Sequence, residues 1–364
     1  MSSDPDDTSD EYEDGVSPPS IYETEPTPEE DLWFLPGPPE DFAPGESPLT
    51  FVQRQKTIAP EDWLVAERAE YRGLVRAAEA LARFGARLAA LPSDVVERIA
   101  LQSVTAILRG EGVWLKTDQI ALFRALRVSS QEETRDLERA SWAVRRLMSM
   151  RTDQWIDDGL RGFLGRQAVS DLQELPNDDR ALGEELDTAG RDWADQMRAM
   201  GQLHPLTRAA GALFAWRRLQ ITAPDETLEP MVAAILIAAG GHAPFLPVPE
   251  GSGGAPVRGG TPKDILSAFY QTAEQGALAA LMEVERLLSW REKAIETTAD
   301  LSGRTPPILI EAALRFPVFS ADLAARLAGC APMSARRNLK LFEDRGLIKE
   351  VTGQSRYRFW SARL

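Results

Sequence analysis

The strongest constraint on the fold is a series of helix start and stop signals near the C-terminus. Ser320 is a typical N-cap residue and Gly329 a typical C-terminal stop, so the sequence predicts a short helix over 321–327. Pro332, whose fixed φ suits a first helical turn, predicts the start of a second helix, and Gly346 predicts its end. The sequence therefore predicts two short helices joined by a tight turn.

The second of these helices has an apolar face and a basic face. Ala335, Leu339 and Phe342 recur at intervals of four and three residues, so we expect them to share one buried face. A basic helix packed behind a shorter one is typical of the major-groove helix of helix-turn-helix proteins. The candidate contact residues on its other faces are Ser334, Arg336, Arg337 and Lys340.

The residues after Gly346 predict a two-stranded ribbon. Residues 347–351 and 356–360 are strand-like, and the turn-forming run Thr-Gly-Gln-Ser separates them. Such a ribbon behind a helix-turn-helix predicts a winged helix, in which Arg356 and Arg358 would contact phosphate. A winged helix that contacts protein instead of DNA is the alternative.

The charge of the chain is distributed unevenly between its two ends. The formal net charge is −15. Residues 1–50 contain 15 Asp and Glu and no Lys or Arg, whereas residues 304–364 contain 11 Lys and Arg against 5 Asp and Glu, a net of +6. Residues 51–303 must then carry −6. Such asymmetry is typical of an acidic tail joined to a nucleic-acid module.

Residues 1–48 are predicted to form a disordered acidic tail. They are rich in Asp, Glu, Pro and Ser, and they can bury too little apolar surface to offset the entropy lost on ordering. One apolar island, Leu-Trp-Phe-Leu-Pro at 32–36, interrupts the tail. We expect the island to dock on the folded part of the chain, and docking on a protein partner is the alternative.

Residues 49–303 are predicted to form an all-helical domain, because apolar residues recur there with helical spacing. Pro92 ends an early helix, and Thr261, followed by proline, opens a long one that we expect to extend to about residue 300. The segment 240–260 is rich in Gly and Pro and predicts a flexible loop. The two apolar stripes contain Leu74, Ala77, Leu81, Phe84, Leu88 and Leu91 in the early helix, and Leu266, Phe269, Ala273, Ala277, Ala280, Val284 and Leu287 in the long one.

Several function classes receive no support from the sequence. The one cysteine, Cys330, and the two histidines, His204 and His242, lack any zinc-like spacing, so we expect no metal site and no cofactor. Residues 254–261 depart from a phosphate-binding loop because Gly260 replaces its lysine and no strand precedes it. A single cysteine, the absence of a signal peptide and the absence of an apolar run of about 18 residues predict a cytoplasmic protein without a membrane span.

A run in the middle of the chain, His-Pro-Leu-Thr-Arg-Ala-Ala-Gly-Ala at 204–212, resembles the Fic/DOC signature H-P-F-x-[DE]-G-N-[GK]-R. In that family the histidine is the general base that moves an AMP or phosphate group. The acidic residue holds Mg²⁺, and the glycine, asparagine and arginine bind phosphates. The chain keeps the histidine as His204, the proline, an apolar residue at Leu206 and a late glycine at Gly211.

The same run departs from the signature at its charged positions. Its departures are Arg208 at the metal carboxylate, Ala209 and Ala210 at the glycine and asparagine, and Ala212 at the arginine. A cation in place of a metal ligand and the loss of the phosphate arginine imply that no nucleotide is transferred. We therefore expect His204 to cap a buried helix over 206–219, whose small residues permit close packing.

The resemblance extends beyond this motif. Gly-Glu-Gly at 110–112 resembles the S-x-I-E-G element of Fic N-terminal regions, and residues 231–239 resemble the helix that follows the Fic motif. The C-terminal winged helix is similar to the one that ends many bacterial Fic proteins. The chain also resembles an uncharacterised bacterial family that has an all-helical domain, this winged helix and an H-P-L-x-R-A-A pattern. The resemblance implies DNA binding and no established catalysis.

Together these features predict a mainly α protein: a disordered acidic tail, a Fic-like helical bundle over 49–303 and a winged helix-turn-helix over 304–364. The expected function is binding of double-stranded DNA as a bacterial transcriptional regulator. A homodimer is expected, because a single helix-turn-helix makes few base contacts. The alternatives are a Fic-like AMP transferase that uses His204, and an antitoxin-like protein whose helical body pairs with a true Fic enzyme.

Overall fold

The structure is a computed structural model that describes residues 58–126, 133–149, 154–165, 183–251, 260–354 and 357–364. These residues belong to one compact unit that extends from Gln55 to Leu364. The unit is mainly helical, as the sequence predicts. The tail predicted over 1–48, with its apolar island, lies outside the described residues.

The structure describes helices along most of the chain. They are α1 (Pro60–Ala69), α2 (Tyr71–Ala89), α3 (Val96–Gly110), α4 (Thr117–Leu126), α5 (Thr134–Ser149), α6 (Gln154–Asp157), α7 (Leu160–Leu164), α8 (Gly183–Ala199), α9 (Pro205–Arg218), α10 (Leu228–Ala238), α11 (Pro262–Thr297), α12 (Thr305–Arg315), α13 (Ala321–Ala328) and α14 (Pro332–Asp344). A 3-10 turn, Ser93–Val95, precedes α3. The strands are β1 (Phe319–Ser320), β2 (Ile348–Glu350) and β3 (Phe359–Ala362).

Helices α2 and α11 pack along each other and run in the same direction. The Arg76 Nε lies 3.1 Å from the Glu274 Oε2, and the Arg87 Nε lies 2.7 Å from the Glu285 Oε1, so both residue numbers rise together along the contact. The predicted apolar stripes of both helices are buried except for Leu91, which lies beyond the end of α2 and is partly buried. The long helix begins at the predicted Thr261 cap, because the side chains and backbone of Thr261 and Asp264 bond reciprocally.

Helix α10 lies at the centre of the helical body. It is apolar on all sides, and every residue except Glu229 is buried, as expected of a helix surrounded by protein. The Glu111 carboxylate accepts a 2.6 Å hydrogen bond from the Leu228 backbone N–H at the start of α10, and the Arg139 Nη2 donates to it at 2.6 Å. The Gly-Glu-Gly run at 110–112 therefore connects α3, α5 and α10.

Residues 240–251 form no helix or strand, and residues 245–249 are buried. Phe245 is fully buried, and the chain crosses α11 where Gly276 leaves room: a Cβ on that glycine would lie 2.0 Å from the Pro247 carbonyl oxygen. A loop is thus present here, as predicted, and glycine on the opposing helix lets its backbone approach α11. Residues 252–259 lie outside the described residues.

The C-terminal segment, residues 305–364, has the element order α12–β1–α13–α14–β2–β3. Its strands form an antiparallel sheet in the order β1-β3-β2, so that Trp360 on β3 pairs with both Phe319 and Glu350. Two strands were predicted, and three are present. The last strand begins at Phe359 rather than Arg356 and extends to Ala362, because its register is set by two partners that local sequence signals do not reveal.

The C-terminal segment packs directly on the helical body. The Trp290 Nε1 of α11 donates a buried hydrogen bond of 2.9 Å to the Leu347 carbonyl. The buried Arg98 of α3 donates from Nε to the Leu314 carbonyl at 3.1 Å, and so caps the end of α12. The residues on either side of the domain boundary predicted at 303/304 thus belong to one compact unit. The domain boundary itself stays a prediction.

Candidate functional site

Helices α13 and α14 begin and end at the residues that the sequence predicts. The Ser320 Oγ accepts a 3.2 Å hydrogen bond from the Leu323 backbone N–H, and Gly329 ends α13 at a φ of 56°. Pro332 opens α14, and Gly346 follows its end at a φ of 72°. These signals act within one helical turn. The caps and the proline therefore determine where the two short helices begin and end.

The predicted faces of α14 are also as expected. Ala335, Leu339 and Phe342 are all fully buried against the rest of the C-terminal segment. The candidate contact residues Ser334, Arg336, Arg337 and Lys340 are all exposed. Helix α14 therefore presents a basic surface to solvent while its apolar stripe anchors it.

The cations on this surface differ in how they are paired. Within the described part of the chain, neither Arg336 nor Arg337 forms an ion pair or a side-chain hydrogen bond. The Lys340 Nζ lies 2.7 Å from the Asp344 Oδ1 one turn later, and this hydrogen bond raises the pKa of Lys340. The pair is exposed, so it adds little stability but partly offsets the lysine charge.

A cleft of about 630 Å³ lies beside this surface, and we call it the α14 cleft. It is bounded by the start of α13, by α14, by β3 and by Leu126 at the end of α4. Three of the predicted contact residues line it together with three aromatic residues and two acidic ones. Its side chains include Arg336, Lys340, Arg358, Tyr357, Phe359, Trp360, Asp322 and Glu343.

Arg358 is less free than the sequence suggests. Its Nη2 lies 3.8 Å from the Glu343 Oε1 of α14, and its guanidinium lies 5.4 Å from the centre of the Trp360 ring. The Arg358 Nε and the Trp360 Nε1 are buried and have no hydrogen-bond partner among the described residues. Unused donors of this kind lie where an acceptor could enter the cleft. Arg356, the other predicted wing contact, lies outside the described residues.

The turn between β2 and β3 is held by a carboxylate. The Glu350 Oε1 accepts a hydrogen bond from the Thr352 backbone N–H at 2.8 Å, and its Oε2 accepts one from Gly353 at 2.9 Å. Burial acts to raise the pKa of Glu350, but the hydrogen bonds from Thr352 and Gly353 outweigh it and the pKa is lowered. The ionised carboxylate therefore orders the turn at neutral pH.

Two exposed apolar residues border the basic surface, and sequence reasoning missed both. Met333, at the start of α14, is 73% exposed, and Tyr357 is 79% exposed. Tyr357 also has a φ of 55°, a left-handed conformation that is strained for an aromatic residue and is concentrated at functional sites. Tyr357 was missed because it lay within the strand predicted over 356–360. Met333 could have been identified as a candidate contact, because it directly precedes the candidate contact Ser334.

His204 lies at the start of α9. Its Nδ1 accepts a 3.2 Å hydrogen bond from the Leu206 backbone N–H, which confirms the predicted helix cap. Burial lowers the pKa of His204. The nearby Glu67 acts to raise this pKa, and His242 acts to lower it further. A Cβ added at Gly211 of the same run would lie only 2.6 Å from the Met200 Sδ. The small residues therefore do permit close packing.

Among the described residues, no group of three or more His, Cys, Asp or Glu side chains is arranged to hold a metal ion. None of the helices that the structure describes is both long enough and apolar enough to cross a membrane. No protein-family model matches the chain, and no curated protein matches it either.

Proposed function

We propose that the C-terminal segment is a winged helix-turn-helix that binds double-stranded DNA, and that the protein is a transcriptional regulator. The observation that carries this proposal is the division of α14 into a fully buried apolar stripe and an exposed basic surface. An order of helix, strand, two helices and two strands suits a helix placed in the major groove beside a β-turn wing.

Within this proposal, the paired and unpaired cations of the C-terminal segment have different roles. Arg336 and Arg337 carry charges that no described carboxylate neutralises, so they are the residues for base edges or phosphates. Lys340 must leave its ion pair with Asp344 before it can contact a phosphate. Arg358 must likewise leave its ion pair with Glu343. Met333 would add apolar contact with thymine methyl groups. A homodimer would supply the second half-site.

The experiment is DNA binding by the full chain, measured by fluorescence anisotropy with random-sequence and genomic duplexes at several salt concentrations. Arg337→Ala should weaken binding by about 1–3 kcal/mol if the side chain reaches a base edge. Asp344→Asn should strengthen binding, because it removes a negative charge and frees Lys340. Arg83→Ala, which removes an exposed cation from α2, is the matched control and should leave binding unchanged.

Failure of the full chain to bind any duplex at low salt would refute the proposal. Equal losses in Arg337→Ala and Arg83→Ala would also refute it, since binding would then follow total charge and not the α14 surface.

A further inference from the structure

A second cleft lies where the helical body meets the C-terminal segment, away from the basic surface of α14. It has a volume of about 420 Å³, which is within the range of small-molecule sites. We call it the junction cleft. One wall comes from α3 and the start of α4, with Leu101, Thr105 and Arg109. The other comes from β2, β3 and the chain before β1, with Val318, Lys349 and Ala362.

Two buried polar groups of the junction cleft lack a hydrogen-bond partner in the described part of the chain. Thr105 is 3% exposed, and its hydroxyl has no hydrogen-bond partner among the described residues. The Arg109 Nε is also buried and unpartnered. Lys116 and Lys349 line the cleft as exposed cations with no ion pair in the part of the chain that the structure describes. A buried donor without an acceptor costs stability, so such groups mark a place where a ligand supplies the acceptor.

The carboxylates of the same cleft are already engaged. Glu250 lies 3.4 Å from the Arg109 Nη1, and Glu283 lies 3.4 Å from the Arg286 Nη2. The Asp118 Oδ1 accepts a 2.9 Å hydrogen bond from the Gln119 backbone N–H. The buried groups left to a ligand, the Thr105 hydroxyl and the Arg109 Nε, can both donate hydrogen bonds, and the unpaired lysines are cations, so the cleft favours an anion over a cation.

Apolar side chains complete the walls of the junction cleft. Leu101, Val318 and Ala362 are buried, and they approach from both the helical body and the sheet. An inorganic anion would leave this apolar surface unused, whereas an organic anion would cover it. We propose that the junction cleft binds a small organic carboxylate with an apolar body, whose carboxylate is held by Thr105, Arg109 and the two lysines.

This site does not depend on the proposed DNA binding, and it is tested without DNA. The full chain is titrated by calorimetry with benzoate, phenylacetate and hexanoate, and with the neutral amide of each. At least one carboxylate should bind with a dissociation constant below about 1 mM, and its amide should bind at least tenfold more weakly. Binding should weaken as salt rises, because the lysines are exposed.

Variants separate the cleft from the rest of the surface. Thr105→Val keeps the shape of the side chain and removes its hydroxyl, and Arg109→Gln removes the buried donor and the charge. Each should weaken binding of the best carboxylate at least tenfold, while Lys293→Gln, an exposed lysine on α11, should leave binding unchanged. Circular dichroism melting of every variant establishes that it is folded.

Three results would overturn the proposal. The first is that no carboxylate in the panel binds. The second is that the amides bind as well as the acids. The third is that folded Thr105→Val and Arg109→Gln both bind like the unaltered chain, which would assign any binding to another place.

Discussion

Gly276→Ala is expected to destabilise the protein although alanine favours helices. The new Cβ would lie 2.0 Å from the Pro247 carbonyl oxygen and 2.9 Å from its carbon. An ordinary carbon contact requires about 3.5 Å, so the chain at Pro247 must move by roughly 1.5 Å. That chain is held on both sides: the Leu246 N–H donates to the Ile235 carbonyl at 2.9 Å, and the Val248 N–H donates to the Ser103 Oγ at 3.2 Å.

The magnitude follows from two opposing effects. Overpacking a tight contact costs about 1–3 kcal/mol. Replacing glycine by alanine inside a helix gains up to about 1 kcal/mol. A required shift of roughly 1.5 Å places the cost near the upper end of its range, so the free energy of unfolding should fall by about 2 kcal/mol. The assay is urea unfolding followed by tryptophan fluorescence and circular dichroism.

Gly73→Ala is the matched control on α2. Its Cβ would lie 3.4 Å from the Tyr270 Cδ2, close to an ordinary contact, so the helix propensity should prevail. The free energy of unfolding should rise by up to about 1 kcal/mol. A Gly276→Ala protein as stable as the unaltered chain, or a Gly73→Ala protein that loses as much as Gly276→Ala, would refute the packing of residues 240–251 on α11.

Three further predictions concern other parts of the chain. Deleting residues 1–48 should tighten DNA binding, most strongly at low salt, because fifteen tethered carboxylates within residues 1–50 compete with DNA for the basic surface; an unchanged affinity in anisotropy titrations would contradict this. Thr105→Val should raise the free energy of unfolding by about 1 kcal/mol in urea, since it removes a buried hydroxyl without a described partner; a loss of stability would show that the hydroxyl is satisfied. Burial lowers the pKa of His204 from 6.5, so the stability it contributes should be complete above pH 6.5 and decline as the pH falls below it. His204→Asn, which keeps a capping side chain, should flatten that decline in melting curves recorded between about pH 5 and 8.

Sequence signals predicted those features that depend on one stretch of chain. Caps, prolines and left-handed glycines set the bounds of α13 and α14 because each acts within a turn of the helix. The stripes of α2 and α11 followed from their periodicity, since a helix must bury its apolar face somewhere. The pairing of Lys340 with Asp344 was not predicted, although the two residues are four apart on α14, a spacing at which side chains on a helix meet.

Only the tertiary structure decided which distant groups meet. The strand β1 has two residues, too few for an alternation, and it exists because β3 offers it an edge. The pairing of Arg358 with Glu343 and the packing of residues 240–251 across α11 depend on how separate elements approach one another.

The junction cleft has the same origin. Thr105 is an ordinary mid-helix residue in the sequence, and its hydroxyl, which has no partner among the described residues, lines the cleft that α3 shares with the C-terminal segment. A residue's own chain neighbours determine its dihedral angles and its caps. Whether its polar atoms find partners depends on the elements that fold against it, and these can be distant in the chain. Arg98, for example, donates to the Leu314 carbonyl across 216 positions.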